Sequence, residues 1–182
     1  MRRLLLHDCC APCGAYVLEE LLKDGYEVTV YFYNPNIFPL EEYEWRKQEI
    51  KKYCQKRNVK FIDDDYNHED WLDFVKGHET APERGKRCEQ CFAKRLGEAA
   101  QKASELGVEY MTTTLTISPH KISQMIINVG KEVSEIYGIK FLDIDWKKDD
   151  GFKKACVLSK EEGFHRQNYC GCEFSMKRKT NG

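Results

Sequence analysis

The residues of this chain best suited to chemistry are its cysteines, nine in 182 residues. Three lie in Asp8-Cys9-Cys10-Ala11-Pro12-Cys13-Gly14, two in Arg87-Cys88-Glu89-Gln90-Cys91-Phe92 and two in Cys170-Gly171-Cys172. Thiolates are ligands for soft metals and nucleophiles in redox exchange. Four thiolates make a structural zinc site, but the adjacent Cys9 and Cys10 are poorly spaced to fill two vertices of one small tetrahedron. They reach separate irons of a larger cluster, or two neighbouring metals, more readily. The first two cysteine groups are therefore expected to meet in the fold and hold iron and sulfur.

Other candidates surround these thiols. Asp8 is either a helix cap or a ligand, alongside Cys13, to a second and harder metal. Cys170 and Cys172 are a redox dithiol that closes to a disulfide, a pair of metal ligands, or two inert thiols, and Gly171 permits the tight backbone a close pair requires. His120 and Lys121 follow a strand and suit contact with a phosphate or a base. Arg84, Lys86, Arg87 and Arg95, with Lys153, Lys154, Arg166, Lys177, Arg178 and Lys179, are candidates for a phosphate-binding rim. Cys54 and Cys156 lie among apolar residues and are assigned to packing.

The elements that must position these groups alternate between strand and helix patterns. Strands are expected over Arg3–His7, Glu27–Tyr33, Val59–Asp63, Glu109–Leu115 and Lys140–Ile144. Helices are expected from Pro12 to Asp24, Leu40 to Arg57, His68 to Val75, Cys88 to Leu106, from the Ser118-Pro119-His120-Lys121 cap to Tyr137, and Gly151 to Leu158. Asn34-Pro35-Asn36-Ile37-Phe38-Pro39 is expected to be a loop, because its prolines resist both helix and ladder. Alternation of this kind implies βαβ units and a doubly wound, mostly parallel five-stranded sheet. The first cysteine group then falls in a strand-to-helix turn, where open α/β sheets bind ligands and where a helix N-terminus favours thiolate.

Length and composition are those of a single globular domain, residues 1–182, ending in a cysteine-bearing tail. The net charge of −1 argues against a protein that coats nucleic acid generally, though not against a local basic patch. Met1-Arg2-Arg3-Leu4-Leu5-Leu6 is too short an apolar run for a signal peptide, and no run reaches transmembrane length. The expectation is a cytoplasmic protein with no membrane partner, in which many cysteines point to metal or redox chemistry and not to a disulfide framework.

Five segments in order carry a family resemblance: His7 to Cys13, Tyr31 to Ile37, Pro82 to Phe92, Ser118 to Lys121 and Arg166 to Cys172. Together they closely resemble the epoxyqueuosine reductases of the QueH type, over nearly the whole chain. The resemblance implies a fold of the adenine-nucleotide α-hydrolase (HUP) group with cysteines in place of the phosphate loop. It implies reduction of epoxyqueuosine to queuosine at the wobble position of tRNA, the last step of queuosine biosynthesis, without cobalamin. It further implies a [4Fe–4S] cluster on Cys9, Cys10, Cys88 and Cys91, an additional iron beside it, and an electron donor that the sequence does not identify. On this reading Asn34, Arg87, His120 and Lys121 contact substrate, and Asp8, Cys170 and Cys172 take part in catalysis.

Two rival readings remain on the residues. A nucleotide-dependent tRNA-modifying enzyme of the same fold would need a Gly- and Ser-rich phosphate loop where this chain has Asp-Cys-Cys-Ala-Pro-Cys. A zinc-stabilised binding module gives no reason for Cys13 or for Cys170-Gly171-Cys172.

Overall fold

The computed structural model describes residues 2–176. Strands β1 (Arg2–His7), β2 (Tyr26–Phe32), β3 (Lys60–Asp63), β4 (Tyr110–Thr113) and β5 (Lys140–Phe141) form one sheet in the order β3-β2-β1-β4-β5. Every neighbouring pair is parallel. Helices α1 (Ala11–Lys23), α2 (Leu40–Lys56), α3 (His68–Phe74), α4 (Lys86–Glu105), α5 (Ser123–Ile136), α6 (Gly151–Glu161) and α7 (Glu173–Met176) make the connections and the C-terminal end. The expected fold class is present. The basic residues Lys177, Arg178 and Lys179 of the expected rim lie outside the described residues.

Double winding follows from the two-residue period of β1. Leu4, Leu5 and Leu6 are all fully buried, as a central parallel strand requires. Leu4 and Leu6 point into a core shared with Val17, Leu18 and Leu21 of α1 and Tyr43 and Ile50 of α2. Leu5 points the other way, into a core with Leu96 and Ala99 of α4 and Ile126 of α5. The chain winds outward from β1 through β2 to β3, then returns to place β4 on the other side of β1. The C-terminal end of β1 is thus a topological switch point, the natural ligand crevice of such a sheet.

Two strands end earlier than their β-branched sequences suggest. β4 stops at Thr113, and Thr114–Ile117 turn into a 3-10 helix whose first N–H groups are capped by the Thr113 hydroxyl, which accepts from the Leu115 N–H at 3.2 Å. β5 ends at Phe141: its last backbone rung runs from the Leu142 N–H to the Met111 carbonyl at 2.8 Å, and threonine side chains take over from there. The Thr112 and Thr116 hydroxyls donate to the Leu142 and Ile144 carbonyls, at 3.0 and 2.9 Å. α4 begins at Lys86, before Cys88, and α5 begins at Ser123, leaving Ser118–Lys121 as a separate turn closed by Lys121 N–H to Ser118 O at 3.3 Å. No described helix is long and apolar enough to cross a membrane.

Candidate metal centre and substrate cavity

The first cysteine group wraps the start of α1. Cys10 is the N-cap in extended conformation, Pro12 sits in the first turn, and the N–H groups of Cys13 and Gly14 both donate to the Cys10 carbonyl. This turn brings the Sγ atoms of Cys9, Cys10 and Cys13 within 4.8 Å of one another, the only group of three or more such donors among the described residues. Cys9 Sγ lies 3.8 Å from Cys10 Sγ and 3.6 Å from the Thr114 hydroxyl at the end of β4. The Gln167 side-chain amide reaches in from the C-terminal segment to 3.1 Å from Cys10 Sγ.

The three thiols share charge unevenly. Hydrogen bonds from Cys10 and Cys13 hold the Cys9 thiol well below its usual range, against the opposing effect of burial, and Lys121 and Arg95 add to this. Cys10 is pulled down by its bond with Cys13 but raised more by donating to Cys9 and by burial. Cys13 is raised by its donation to Cys10 and Cys9. The site therefore favours one thiolate stabilised by two thiols, and a bound metal would displace the remaining protons.

Asp8 stands directly behind the triad. It is fully buried, and neither carboxyl oxygen closes a well-formed hydrogen bond. Burial, followed by the neighbouring Cys9 charge, pushes it well above the usual carboxylate range, although Thr114 and the Cys9 and Cys10 N–H groups pull the other way. Asp8 is not the cap of α1, because Cys10 occupies that position without a side-chain cap. Gly14 allows this packing, since a Cβ there would collide with the Asp8 carboxyl. A buried carboxyl without a well-formed hydrogen bond, next to three thiols, is a donor set that a cation would satisfy.

The second cysteine group opens α4 after the Gly85 N-cap, so two helix N-termini converge here. A cavity of about 540 Å³ is lined by Cys9, Cys13, Cys88, Cys91, Cys170 and Cys172. Burial raises Cys91 to about 11 and also raises Cys88. A buried chain of hydrogen bonds joins the two groups. Arg95 lies with Nη1 3.9 Å from Cys91 Sγ and donates from Nη2 to Asn34 Oδ1 at 2.5 Å, and Asn34 Nδ2 donates to the Asp8 carbonyl at 2.8 Å. Asn34 is thus a fully buried brace beneath the site and is not part of the cavity lining.

The third group is tethered through its backbone. The Cys170 carbonyl accepts from Arg46 Nη1 at 3.2 Å, the Gly171 carbonyl from the Phe38 N–H at 2.9 Å, and the Cys172 carbonyl from the Ser175 hydroxyl at 2.7 Å. Gly171 has φ +131°, which a side chain would strain. Cys170 is exposed, whereas Cys172 is buried against Cys91 and Trp71. All cysteines are free thiols.

Basic residues dominate the remaining lining: Arg46, Arg84, Arg87, Arg95, Lys121 and Arg166, against the single carboxylate of Glu83. Burial works against the Lys121 ammonium, but the Cys170, Cys9 and Cys13 sulfurs outweigh it and raise its pKa. Arg87 is buried, with Nη1 donating to the Glu79 (2.9 Å) and Ala81 (2.5 Å) carbonyls and its guanidinium 5.1 Å from the Phe174 ring. His120 is exposed on the rim, where its carbonyl accepts from Arg84 Nε at 2.9 Å. Cys156, expected only to pack, lines the cavity instead, because α6 lies along α1 and turns that face to the opening.

Sequence reasoning passed over Arg46 and gave Gln167 no role. A signal for Arg46 existed: with Tyr43, Ile50 and Tyr53 it falls on the buried stripe of α2, where a charged residue needs a reason. Gln167 carried no local signal.

A family model described as Epoxyqueuosine reductase QueH matches residues 4–178. The chain belongs to the epoxyqueuosine reductase QueH family. Within this QueH family the Haemophilus influenzae epoxyqueuosine reductase QueH is 43% identical over 96% of this chain and 72% of its own. The Thermotoga maritima epoxyqueuosine reductase QueH is 39% identical over 97% and 91%. The QueH fold is shared more widely. A structure described as a predicted subunit of tRNA methyltransferase from Methanocaldococcus jannaschii superposes with TM-score 0.60 at 13% identity, covering 88% of this chain and 75% of that one. The U34-tRNA thiolase NcsA from Methanococcus maripaludis, solved with its [4Fe–4S] cluster, gives 0.57 at 14% identity over 97% and 63%. The QueH family name describes an oxidoreductase, so the chain is an enzyme of that class.

Proposed function

We propose that this enzyme reduces epoxyqueuosine to queuosine at the wobble position of tRNA, in the cytoplasm, with an iron–sulfur centre and an adjacent iron. The observation that carries the reading is the thiol triad at the N-terminus of α1, whose Cys9 and Cys13 line a basic cavity that also holds Cys88, Cys91, Cys170 and Cys172. Thiols and a carboxyl are the donor types such a group takes: on this reading Cys9, Cys10, Cys88 and Cys91 would hold a [4Fe–4S] cluster, and Cys13 with Asp8 would hold the second metal. When bound, such a centre supplies one-electron steps and a Lewis acid for the epoxide oxygen.

The chain's own groups account for the rest. Removing the epoxide oxygen gives an alkene and water, and consumes two electrons and two protons. Oxidation of Cys170 and Cys172 from dithiol to disulfide releases two electrons and two protons, so one turnover of the pair balances one deoxygenation. The exposed Cys170 is the end that an external electron donor would meet, and the buried Cys172 is the end beside Cys91. His120 at the rim and Lys121 and Arg166 in the lining suit anticodon-loop phosphates, while the splayed base enters between them.

The test uses anaerobically purified, iron-loaded protein, chemically reduced and incubated with tRNA carrying epoxyqueuosine. Mass spectrometry of the digested tRNA is expected to show loss of one oxygen from the modified nucleoside. Persistence of the epoxide with bound RNA and a reduced centre would overturn the reading.

A further inference from the structure

Trp45 is the one exposed tryptophan of three: its exposure is 53%, whereas Trp71 and Trp146 are buried at 0% and 8%. It stands on the outer side of α2, away from the stripe of Tyr43, Arg46, Ile50 and Tyr53 that faces the core. The indole is held in place. The His165 ring lies against it with centroids 4.4 Å apart and planes at 30°. His165 is fixed in turn by its N–H, which donates at 2.9 Å to Glu49, one turn further along α2. The preceding Phe164 packs edge-on to Tyr53, with ring centroids 5.6 Å apart.

The chain leads directly from this stack to the cavity. Arg166 and Gln167, the next two residues after His165, are part of its lining, and Gln167 reaches Cys10. Arg166 is exposed, with its guanidinium 5.9 Å from the Phe152 ring. The segment therefore links an aromatic pair to an exposed cation beside a cavity whose charged lining is mainly basic. Single-stranded nucleic acid is recognised by that combination, with aromatic faces taking bases and cations tracking the backbone.

We infer that the Trp45–His165 pair is a stacking platform on the cavity rim for an unpaired nucleobase of the RNA, a neighbour of the base that enters the cavity. The inference rests on the proposed tRNA substrate. Extruding one base breaks its stacking with the bases on either side, and the indole restores a stacked face to one of them. Arg166 then lies where the intervening phosphate passes. The anionic backbone matches this rim better than a protein surface would, because the accessible cations Arg84, Lys121 and Arg166 line the cavity with Glu83 as its one carboxylate.

Trp71 and Trp146 also emit, so the signal of Trp45 is the part of the intrinsic fluorescence that Trp45→Phe lacks. Titration of the full-length protein with a synthetic anticodon stem-loop RNA is expected to quench it. Trp45→Ala is expected to weaken hairpin binding, read by electrophoretic mobility, about tenfold, while Trp45→Phe stays within about threefold of the wild type. A hairpin with an abasic site next to the wobble position is expected to bind the wild type about as weakly as the intact hairpin binds Trp45→Ala. Equal binding by wild type and Trp45→Ala, without quenching, would overturn the platform and leave the tRNA reading standing. Concentration-dependent dimerisation lost in Trp45→Ala would also overturn it, by assigning the face to a second copy of the chain. Failure of the wild type to bind the hairpin even at low salt would remove the platform and the tRNA reading together.

Discussion

The side-chain amide of Gln167 lies 3.1 Å from the Sγ of Cys10, across 157 residues of sequence. It closes the C-terminal segment over the thiol turn. An N–H donated to a ligating sulfur stabilises the more reduced, more negative state of a metal centre. Gln167→Leu is expected to retain iron and sulfide but to lower the reduction potential of the centre. The lost bond corresponds to about 1–3 kcal/mol, and a redox titration monitored in the visible region reads the shift. An unchanged potential with full metal content would remove Cys10 from the ligand set or Gln167 from its surroundings.

Cys170 and Cys172 give a second expectation. Their carbonyls are tethered by Arg46 and Ser175, so replacing either thiol leaves the backbone path intact. Cys170→Ser and Cys172→Ser are expected to keep their iron and lose turnover. Loss of iron would make the pair metal ligands, and full activity would make them structural.

Arg46 supports the same segment by a different route. It is buried, pairs with Glu42 at 2.7 Å, and leaves Nη2 without a partner. Removing one member of a buried pair strands the other, at a cost of about 3–5 kcal/mol. Arg46→Ala is expected to lower the urea midpoint accordingly. Arg46→Lys is expected to recover only part of the loss, because an ammonium cannot reach both Glu42 and the Cys170 carbonyl in the fork geometry of a guanidinium. A midpoint within experimental error of the wild type would contradict this.

Asp64 contributes to the acid limb of stability. Partial burial opposes its charge, but the Asp65 N–H, the Tyr31 hydroxyl at 3.0 Å and Lys102 at 3.4 Å outweigh it, and its pKa falls below the usual carboxylate value. A lowered folded pKa means that the unfolded chain takes up this proton first as pH falls. The stabilisation is complete above the unfolded value of about 3.9 and is lost as pH drops through the lower folded value. Asp64→Asn is expected to be less stable than wild type at neutral pH, with the gap narrowing below about pH 4. Denaturation at a series of pH values measures it, and a gap independent of pH would refute the assignment.

Much of this was legible in the sequence because it is local. The run Leu4-Leu5-Leu6 between turns specifies a strand buried on both faces, and Cys9, Cys10 and Cys13 beside Pro12 specify thiols at a helix start. Spacings of one to four residues fix which side chains share a turn, whatever the rest of the chain does. The thiol triad and the alternation of strands and helices follow from that.

The meeting of the first two cysteine groups was expected from their chemistry, but the route by which distant turns reach one cavity was decided by the tertiary structure alone. The order β3-β2-β1-β4-β5 puts the end of β4 against Cys9 and the N-terminus of α4 opposite that of α1. No local spacing encodes that convergence, since it depends on which side of β1 each crossover returns. The same holds for Asn34, for which the family resemblance implied substrate contact but which lies fully buried between Asp8 and Arg95. It holds too for Arg46, whose partner carbonyl on Cys170 is 124 residues away. A side chain's type limits which bonds it can make, but the packing of remote segments determines which partner is within reach.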